Sequence, residues 1–247
     1  MNGTERGHQV AGCCATSRSK HLAMMGAAVF AAILFAGTAS AQPSAEACGA
    51  FPKADNGPYD YLTVRDARLN VVEHFHFTPK VESLISGSTG TVAQDLDFVL
   101  RAFPNHHRAL MSMFLLGERQ KTPKAAGATY TVECYFERAI RFSPQDNTAK
   151  MIYATYLAKN ARIPETVKQL EIVAASAGDN PFTHYNLGLI YFDIKYYDQA
   201  LAQAHAAYGL GFGQPALKEK LQAAGKWQEL PEAPANPAEA KPAETPK

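Results

Sequence analysis

The sequence has almost no net charge and none of the short motifs that mark the common catalytic sites. It holds 24 Lys and Arg against 23 Asp and Glu, so nothing in the charge balance calls for a nucleic-acid or anionic-membrane partner. It contains no G-x-S-x-G, no H-E-x-x-H and no Walker loop. We therefore predict that the protein is not an enzyme and uses no cofactor. A composition of 47% hydrophobic and 19% charged residues indicates a globular chain.

Long apolar runs are also scarce, and the one that occurs lies near the N-terminus. Arg18, Lys20 and His21 precede the apolar stretch Leu22 to Ala36, which is short for a membrane span, and the small residues Ala39 to Ala41 follow it. This order is typical of a secretory signal peptide that is cleaved after Ala41. The alternative is an uncleaved anchor helix. We expect a periplasmic or secreted protein that has no membrane span after cleavage.

Cysteines are few, and two of the four lie in the predicted signal peptide. Removing Cys13 and Cys14 leaves Cys48 and Cys134 in a compartment where disulfides persist. We predict that these two form a disulfide, which would close a loop of 86 residues (134 − 48). The chain-entropy model gives about 4 to 5 kcal/mol of stabilisation for such a loop. The alternative is a free thiol at Cys48 and a buried thiol at Cys134.

The strongest pattern in the chain is an internal repeat. The stretch that starts at Asn180 has small, apolar and aromatic residues at the spacing of the tetratricopeptide repeat, namely Leu187, Gly188, Tyr191, Tyr197, Ala200, Ala204 and Ala207. In that repeat Gly188 would let two helices approach closely, and Tyr191 would fill the space between them. Counting back one repeat length from Pro181, about 34 residues, reaches Asn147, where a preceding unit begins. The chain thus resembles the tetratricopeptide repeat family.

The resemblance implies an all-α fold, a solenoid of antiparallel helix pairs with about three to four repeats. A helix from about Ala216 to Ala224 would cap the array. The first helix of an earlier unit would run from about Asn105 to Arg119. Helical spacing continues upstream in Thr91 to Ala102, whereas Leu69 to Phe77 fits a helix or a strand. The phrases CGAF, GPYDY, HFTP, FPNHHRAL, VECYF and NLGLIYFD also resemble a group of exported bacterial tetratricopeptide proteins, from which no catalytic residue can be transferred.

These signals divide the chain into four parts. Residues 1–41 are the predicted signal peptide, and 42–103 form an N-terminal segment with a degenerate opening repeat. Residues 104–229 form the helical array with its cap. Residues 230–247 are rich in Pro, Ala and Glu, and we predict that they are disordered because they have little apolar surface to bury.

In tetratricopeptide arrays the first helix of each pair lines a concave groove. The resemblance places there Phe182, Tyr185, Asn186, Leu189 and Asp193 of the last repeat, with Thr148, Met151, Ile152, Thr155 and Lys159 of the repeat before it. In peptide-binding members an Asn matching Asn186 hydrogen-bonds the ligand backbone, and Lys159 would attract a carboxylate. We expect an extracytoplasmic scaffold or adaptor that binds a peptide or a partner protein. If association instead uses the convex face, Asn186→Ala would leave it intact.

Four histidines support a different hypothesis, a metal-binding or small enzymatic protein. His74 and His76 are close in sequence, and so are His106 and His107. On a helix the first pair would point about 200° apart and the second about 100° apart, so neither pair converges on one ion. A strand would place His74 and His76 on one face. We favour capping and inter-helix hydrogen bonds for these side chains over metal ligation.

Two nearby carboxylates, Asp95 and Asp97 in the phrase DLDF, raise the question of paired acid and base catalysts. On a helix they diverge by about 200°. The sequence therefore predicts a solvated face rather than a catalytic pair.

A zinc titration tests the metal hypothesis directly. Because the histidine spacing does not converge, we expect no tight zinc binding. A tight signal that disappears in His76→Ala would establish the metal site instead.

Overall fold

We analysed a computed structural model, which describes residues 48–51 and 57–229. These residues belong to one compact unit, Gln42–Lys247. Every regular element in the described part of the chain is an α-helix, which confirms the all-α prediction. None of those helices is both long and apolar enough to cross a bilayer. The predicted signal peptide, 1–41, and the proline-rich tail, 230–247, lie outside the described residues.

Ten helices occur in the described chain. They are α1 (Ala67–His76), α2 (Pro79–Glu82), α3 (Val92–Ala102), α4 (His107–Gln120), α5 (Val132–Phe142), α6 (Asn147–Lys159), α7 (Ile163–Ala175), α8 (Pro181–Asp193), α9 (Tyr197–Gly209) and α10 (Ala216–Ala223).

The helices begin where short polar side chains can cap them. Seven helices start after a residue whose side chain accepts a hydrogen bond from the first turn of backbone. Thr91 and Gln94 form a capping box at the start of α3. The ambiguous segment Leu69 to Phe77 is helical because Asp66 caps α1, and because Leu69 and Val72 are buried on one side of it.

The repeat spacing that the sequence predicts also relates two helical hairpins in the structure. The hairpins α6–α7 and α8–α9 begin at Asn147 and Pro181, and their second helices begin at Ile163 and Tyr197, so both helices recur after the same step along the chain. Their turns pass through left-handed residues at equivalent places, Ala161 (φ 57°) and Lys195 (φ 68°). Each unit is therefore a pair of helices of equal length joined by a short turn.

Helix α6 takes part in both hydrophobic cores of the described chain. Tyr153 and Leu157 belong to the core formed with α1–α5, whereas Ala154 belongs to the core formed with α7–α10. Met151 and Ile152 are only 5% and 9% exposed. The resemblance predicts that these two line the concave groove, but both are buried because α4 and α8 pack against α6.

The last helix of the described residues, α10, packs on α8 and α9 as the sequence predicts for a capping helix. The contact depends on Gly188 of α8. A Cβ at this position would lie 2.4 Å from Leu217 Cδ2 and 3.3 Å from the carbonyl oxygen of Ala200. Leu217 is fully buried, so it has little room to move away.

Replacing Gly188 by Ala should therefore destabilise the array by about 1 to 3 kcal/mol through overpacking. Gly209 is the matched control, because it lies in α9 and a methyl group added there would meet no atom within 4 Å. Gly209→Ala should stabilise the protein by up to about 1 kcal/mol through helix propensity. Urea unfolding measures both changes, and equal effects of the two substitutions would contradict this packing.

Candidate functional site

One of the four candidate histidines, His76, is part of a hydrogen-bonded cluster that closes the turn before α3. Its Nδ1 lies 3.0 Å from Asp95 Oδ1, and its ring stacks on Phe98 at a centroid distance of 3.9 Å. The same carboxylate accepts hydrogen bonds from Ser88 N (2.6 Å) and from Thr89 Oγ1 (2.6 Å). Asp95 thereby ties α1 to α3.

The pKa of Asp95 reflects this cluster. Burial raises it, but hydrogen bonds from Thr89, Ser88 and His76 outweigh burial, and the net pKa lies below its ordinary value. The carboxylate is therefore charged at neutral pH and serves as an acceptor that orders the turn.

His106 is fully buried at the start of α4, where it acts as an N-cap. Its Nδ1 accepts a hydrogen bond from Ala109 N at 3.1 Å, so the ring proton is on Nε2, which donates to Glu73 Oε1 at 3.0 Å. Burial lowers the pKa of His106, although Glu73 opposes that shift. A neutral imidazole thus connects α4 to α1.

His107 joins α4 to α6, because its Nε2 lies 2.8 Å from Asp146 Oδ2. The other carboxylate oxygen of Asp146 accepts from Ala149 N at 2.9 Å and so caps α6. Burial raises the pKa of Asp146, but hydrogen bonds from His107, Ala149 N and Asn105 lower it more, and the carboxylate stays charged.

Three of the four candidate metal ligands therefore each contact a different carboxylate. The fourth, His74, is exposed and packs edge-on against Phe75. No group of three or more His, Cys, Asp or Glu side chains among the described residues is arranged to hold a metal ion. The structure brings these histidines to helix junctions and not to one common centre.

Asp97 and Asp95 are only 5% and 1% exposed, so the predicted solvated face is wrong. Asp97 Oδ1 accepts from Thr129 N at 3.0 Å and from the hydroxyl of Tyr135. Its Oδ2 accepts from Arg101 Nε at 2.9 Å. The carboxylate fixes the long connection between α4 and α5 onto α3, a contact with no signal in the local sequence.

Sequence reasoning also missed Asn105, which is fully buried between the N-terminal segment and α6. Its Nδ2 donates to Asp60 Oδ1 at 2.8 Å and to Asp146 Oδ2 at 3.0 Å, and its Oδ1 accepts from Tyr61 N at 2.9 Å. All these groups are satisfied by one another, so the joint is structural and offers no free group for chemistry.

The two cysteines of the predicted disulfide, Cys48 and Cys134, have their sulfur atoms 2.08 Å apart. Beside them the buried Arg138 donates through Nη1 to the carbonyl oxygens of Cys48 (2.8 Å), Gly49 (3.1 Å) and Ala50 (3.0 Å). Residues 48–51 are thereby held against α5 by a covalent bond and by a guanidinium group.

The segment Pro79–Ile85 packs on α4. Three side chains of α4 bind this segment: Arg108 Nε donates to Glu82 Oε1 at 2.8 Å, Ser112 Oγ to Glu82 O at 3.1 Å and Arg119 Nη1 to Leu84 O at 2.7 Å. These contacts hold α2 against α4.

On α8 the predicted groove residues Phe182 and Tyr185 form a partly exposed aromatic surface with Phe212. Phe182 is 52% exposed. The ring of Tyr185 lies 4.5 Å from that of Phe212, and the ring of Phe182 lies 6.4 Å from it. We call Phe182, Tyr185 and Phe212 the α8 patch. Phe212 was not predicted as a site residue because it follows α9 in sequence and joins the patch only through the fold.

The remaining predicted groove residues lie on α8 and α6. Asn186 Nδ2 donates to Phe182 O at 2.7 Å, which leaves the amide able to bind a second group. Leu189 is half-buried in the second core, and Thr155 Oγ1 donates to the backbone of its own helix at 3.0 Å. Lys159 and Asp193 are exposed at the ends of α6 and α8, and Asp193 pairs with Lys220 at 3.5 Å.

The buried His106 predicts a specific dependence of stability on pH. Its folded pKa lies below that of an unfolded His, about 6.5, so the unfolded chain takes up the proton first. The free energy of unfolding should therefore fall as the pH drops from 7 to 5. His106→Asn keeps a capping oxygen and should make that fall shallower, measured by urea unfolding at each pH. An unchanged slope in His106→Asn would refute the assignment.

Comparisons of the chain with protein-family models, with curated proteins and with solved structures gave no match. The functional argument therefore depends on the geometry of the described residues.

Proposed function

We propose that the protein is an extracytoplasmic scaffold or adaptor of the tetratricopeptide type, which binds a peptide or a partner protein through the α8 patch. The observation that carries the proposal is the exposure of Phe182 beside two further aromatic rings, on the first helix of the last repeat. In that repeat class the first helices form the binding surface.

The chemistry of the patch suits recognition of an extended segment. Aromatic side chains supply large contact area at low entropic cost and dominate many interfaces. Asn186 stands one turn from Phe182 and can hydrogen-bond a peptide backbone. The patch thus combines an apolar anchor with a polar group that can hydrogen-bond the backbone of a ligand.

The accessible surface is short, because Met151 and Ile152 on α6 are buried. This favours a ligand that contacts the α8 patch with a few residues.

A location outside the cytoplasm is supported by the Cys48–Cys134 pair, since disulfides persist in oxidising compartments. The alternative function, a metal-binding or small enzymatic protein centred on His74, His76, His106 and His107, gains no support from their positions. Three of them are engaged with carboxylates of neighbouring helices.

The proposal predicts that Phe182→Ala weakens partner binding by about tenfold or more, as expected for an interface anchor. Phe75→Ala is the matched control, because Phe75 on α1 is also 52% exposed. We expect photo-crosslinking from position 182 to capture a partner in the exported fraction that position 75 does not capture. The affinity for that partner is then measured with each purified variant.

Asn186→Ala should weaken the same complex to a smaller extent. Both variants should retain the thermal stability of the parent protein, since neither side chain is in a core. Full binding by Phe182→Ala and by Asn186→Ala would instead indicate association through the opposite face of the array.

A further inference from the structure

A buried phenol lies between two carboxylates where α5 meets α6. The hydroxyl oxygen of Tyr153 on α6 is 2.8 Å from Glu133 Oε1 and 2.9 Å from Glu137 Oε1, both on α5. The ring of Tyr153 is fully buried and stacks with the rings of Phe136 (5.4 Å) and Tyr156 (6.2 Å). The phenol is therefore fixed in position. We refer to Glu133, Glu137 and Tyr153 as the acidic joint.

The acidic joint has too few hydrogen atoms if both of its carboxyl groups are ionised. A phenol has one O–H to donate and can also accept, whereas an ionised carboxylate only accepts. Tyr153 can donate a full hydrogen bond to one carboxylate and not to both. The other carboxylate oxygen would then lie at hydrogen-bond distance from the phenol oxygen with no hydrogen atom between them. Because an unsatisfied acceptor away from water destabilises the folded state, the geometry calls for a proton on one carboxyl group.

The contacts of Arg162 indicate that Glu133 is the ionised member of the pair. Arg162 Nη1 donates to Glu133 Oε1 at 2.5 Å, and Arg162 Nε donates to Glu165 Oε1 at 2.8 Å. In the part of the chain that the structure describes, no Lys or Arg forms an ion pair with Glu137. The proton is therefore assigned to Glu137.

The environment of Glu137 favours the same assignment. The titratable and charged groups that face it are Tyr153 on α6, Arg162 at the start of α7, and Glu133 and Arg141 on α5. Burial raises the pKa of Glu137, and the charge of Glu133 adds to this rise, whereas the hydrogen bond with Tyr153 and the two arginines lower the pKa by less. Burial and both carboxylates raise the pKa of Tyr153, so the phenol keeps its own proton.

We propose that Glu137 keeps a proton in the folded protein and donates this O–H to Tyr153, which donates in turn to Glu133, so that the contact between α5 and α6 is sensitive to pH. When the pH rises, Glu137 releases the proton to solvent, and its carboxylate becomes a second acceptor that faces the single O–H of Tyr153. The contact between the two helices then weakens. The proposal does not depend on partner binding at the α8 patch.

The direction of the pH dependence follows from proton binding. Because the folded chain holds the proton of Glu137 more tightly than the unfolded chain does, this group contributes stability at low pH. The contribution is lost as the pH rises from about 4.3, the ordinary pKa of Glu, through the higher folded pKa of Glu137. The buried His106 has the opposite effect, because it lowers stability at acid pH.

Infrared spectroscopy of the full chain tests the proton directly. At pH 6 an ordinary Glu is ionised, so we expect the parent protein to show the carbonyl band of a protonated carboxylic acid and Glu137→Gln to lose that band. Glu82→Gln is the matched control and should keep the band, because Arg108 holds the pKa of Glu82 below its ordinary value. A parent spectrum without the band, or a band that persists in Glu137→Gln, would overturn the proposal.

Urea unfolding at each pH tests the consequence for stability. Gln at position 137 places an amide N–H donor where the proposal places the acid O–H, so the variant keeps the contact at every pH. The unfolding equilibrium constant of the parent, divided by that of Glu137→Gln, should therefore increase about tenfold or more from pH 5 to pH 8. A ratio that stays constant over this range would contradict the proposal.

Discussion

The buried carboxylate of Asp146 is the interaction on which the junction between the N-terminal third and the repeats depends. It caps α6 through Ala149 N and accepts hydrogen bonds from Asn105 and from His107. Asp146 therefore fixes the residue at which α6, the first helix of the α6–α7 hairpin, begins. Through His107 it also holds that helix against α4. Because an unpaired buried charge destabilises the folded state, the buried carboxylate of Asp146 requires each of these hydrogen-bond partners.

From that junction onward the architecture is repetitive. Helix α6 faces the N-terminal core on one side and the repeat core on the other, so the two halves of the chain share a structural element. Beyond α6 each described helix contacts mainly the helices next to it in sequence. Phe182 and Tyr185 of α8 lie near the end of the described series, where α10 packs on the last helix pair.

The sequence predicts the helices and their regular spacing well, because apolar periodicity and capping side chains are local properties. The final helix, predicted as Ala216 to Ala224, ends one residue earlier in the structure. The sequence does not predict which polar side chains are buried. Asp95 and Asp97 look solvent-exposed in sequence, yet both are buried. The turn directly before α3 binds Asp95, and the connection between α4 and α5 binds Asp97. Met151 and Ile152 fit the groove pattern, but only the packing of α4 and α8 shows that they are covered.

The bond between Cys48 and Cys134 divides the described protein into a part that is covalently cross-linked and a part that is not. The disulfide closes a covalent loop from Cys48 to Cys134, which contains α1 to α4 and the first turn of α5. Helices α6 to α10 follow this loop in sequence and are not part of it. A force applied at the C-terminus can extend the helices that follow Cys134, whereas the disulfide limits the extension of residues 48–134. The aromatic residues of α8 therefore lie outside the covalent loop, and helices α1 and α4, where the candidate histidines lie, are inside it.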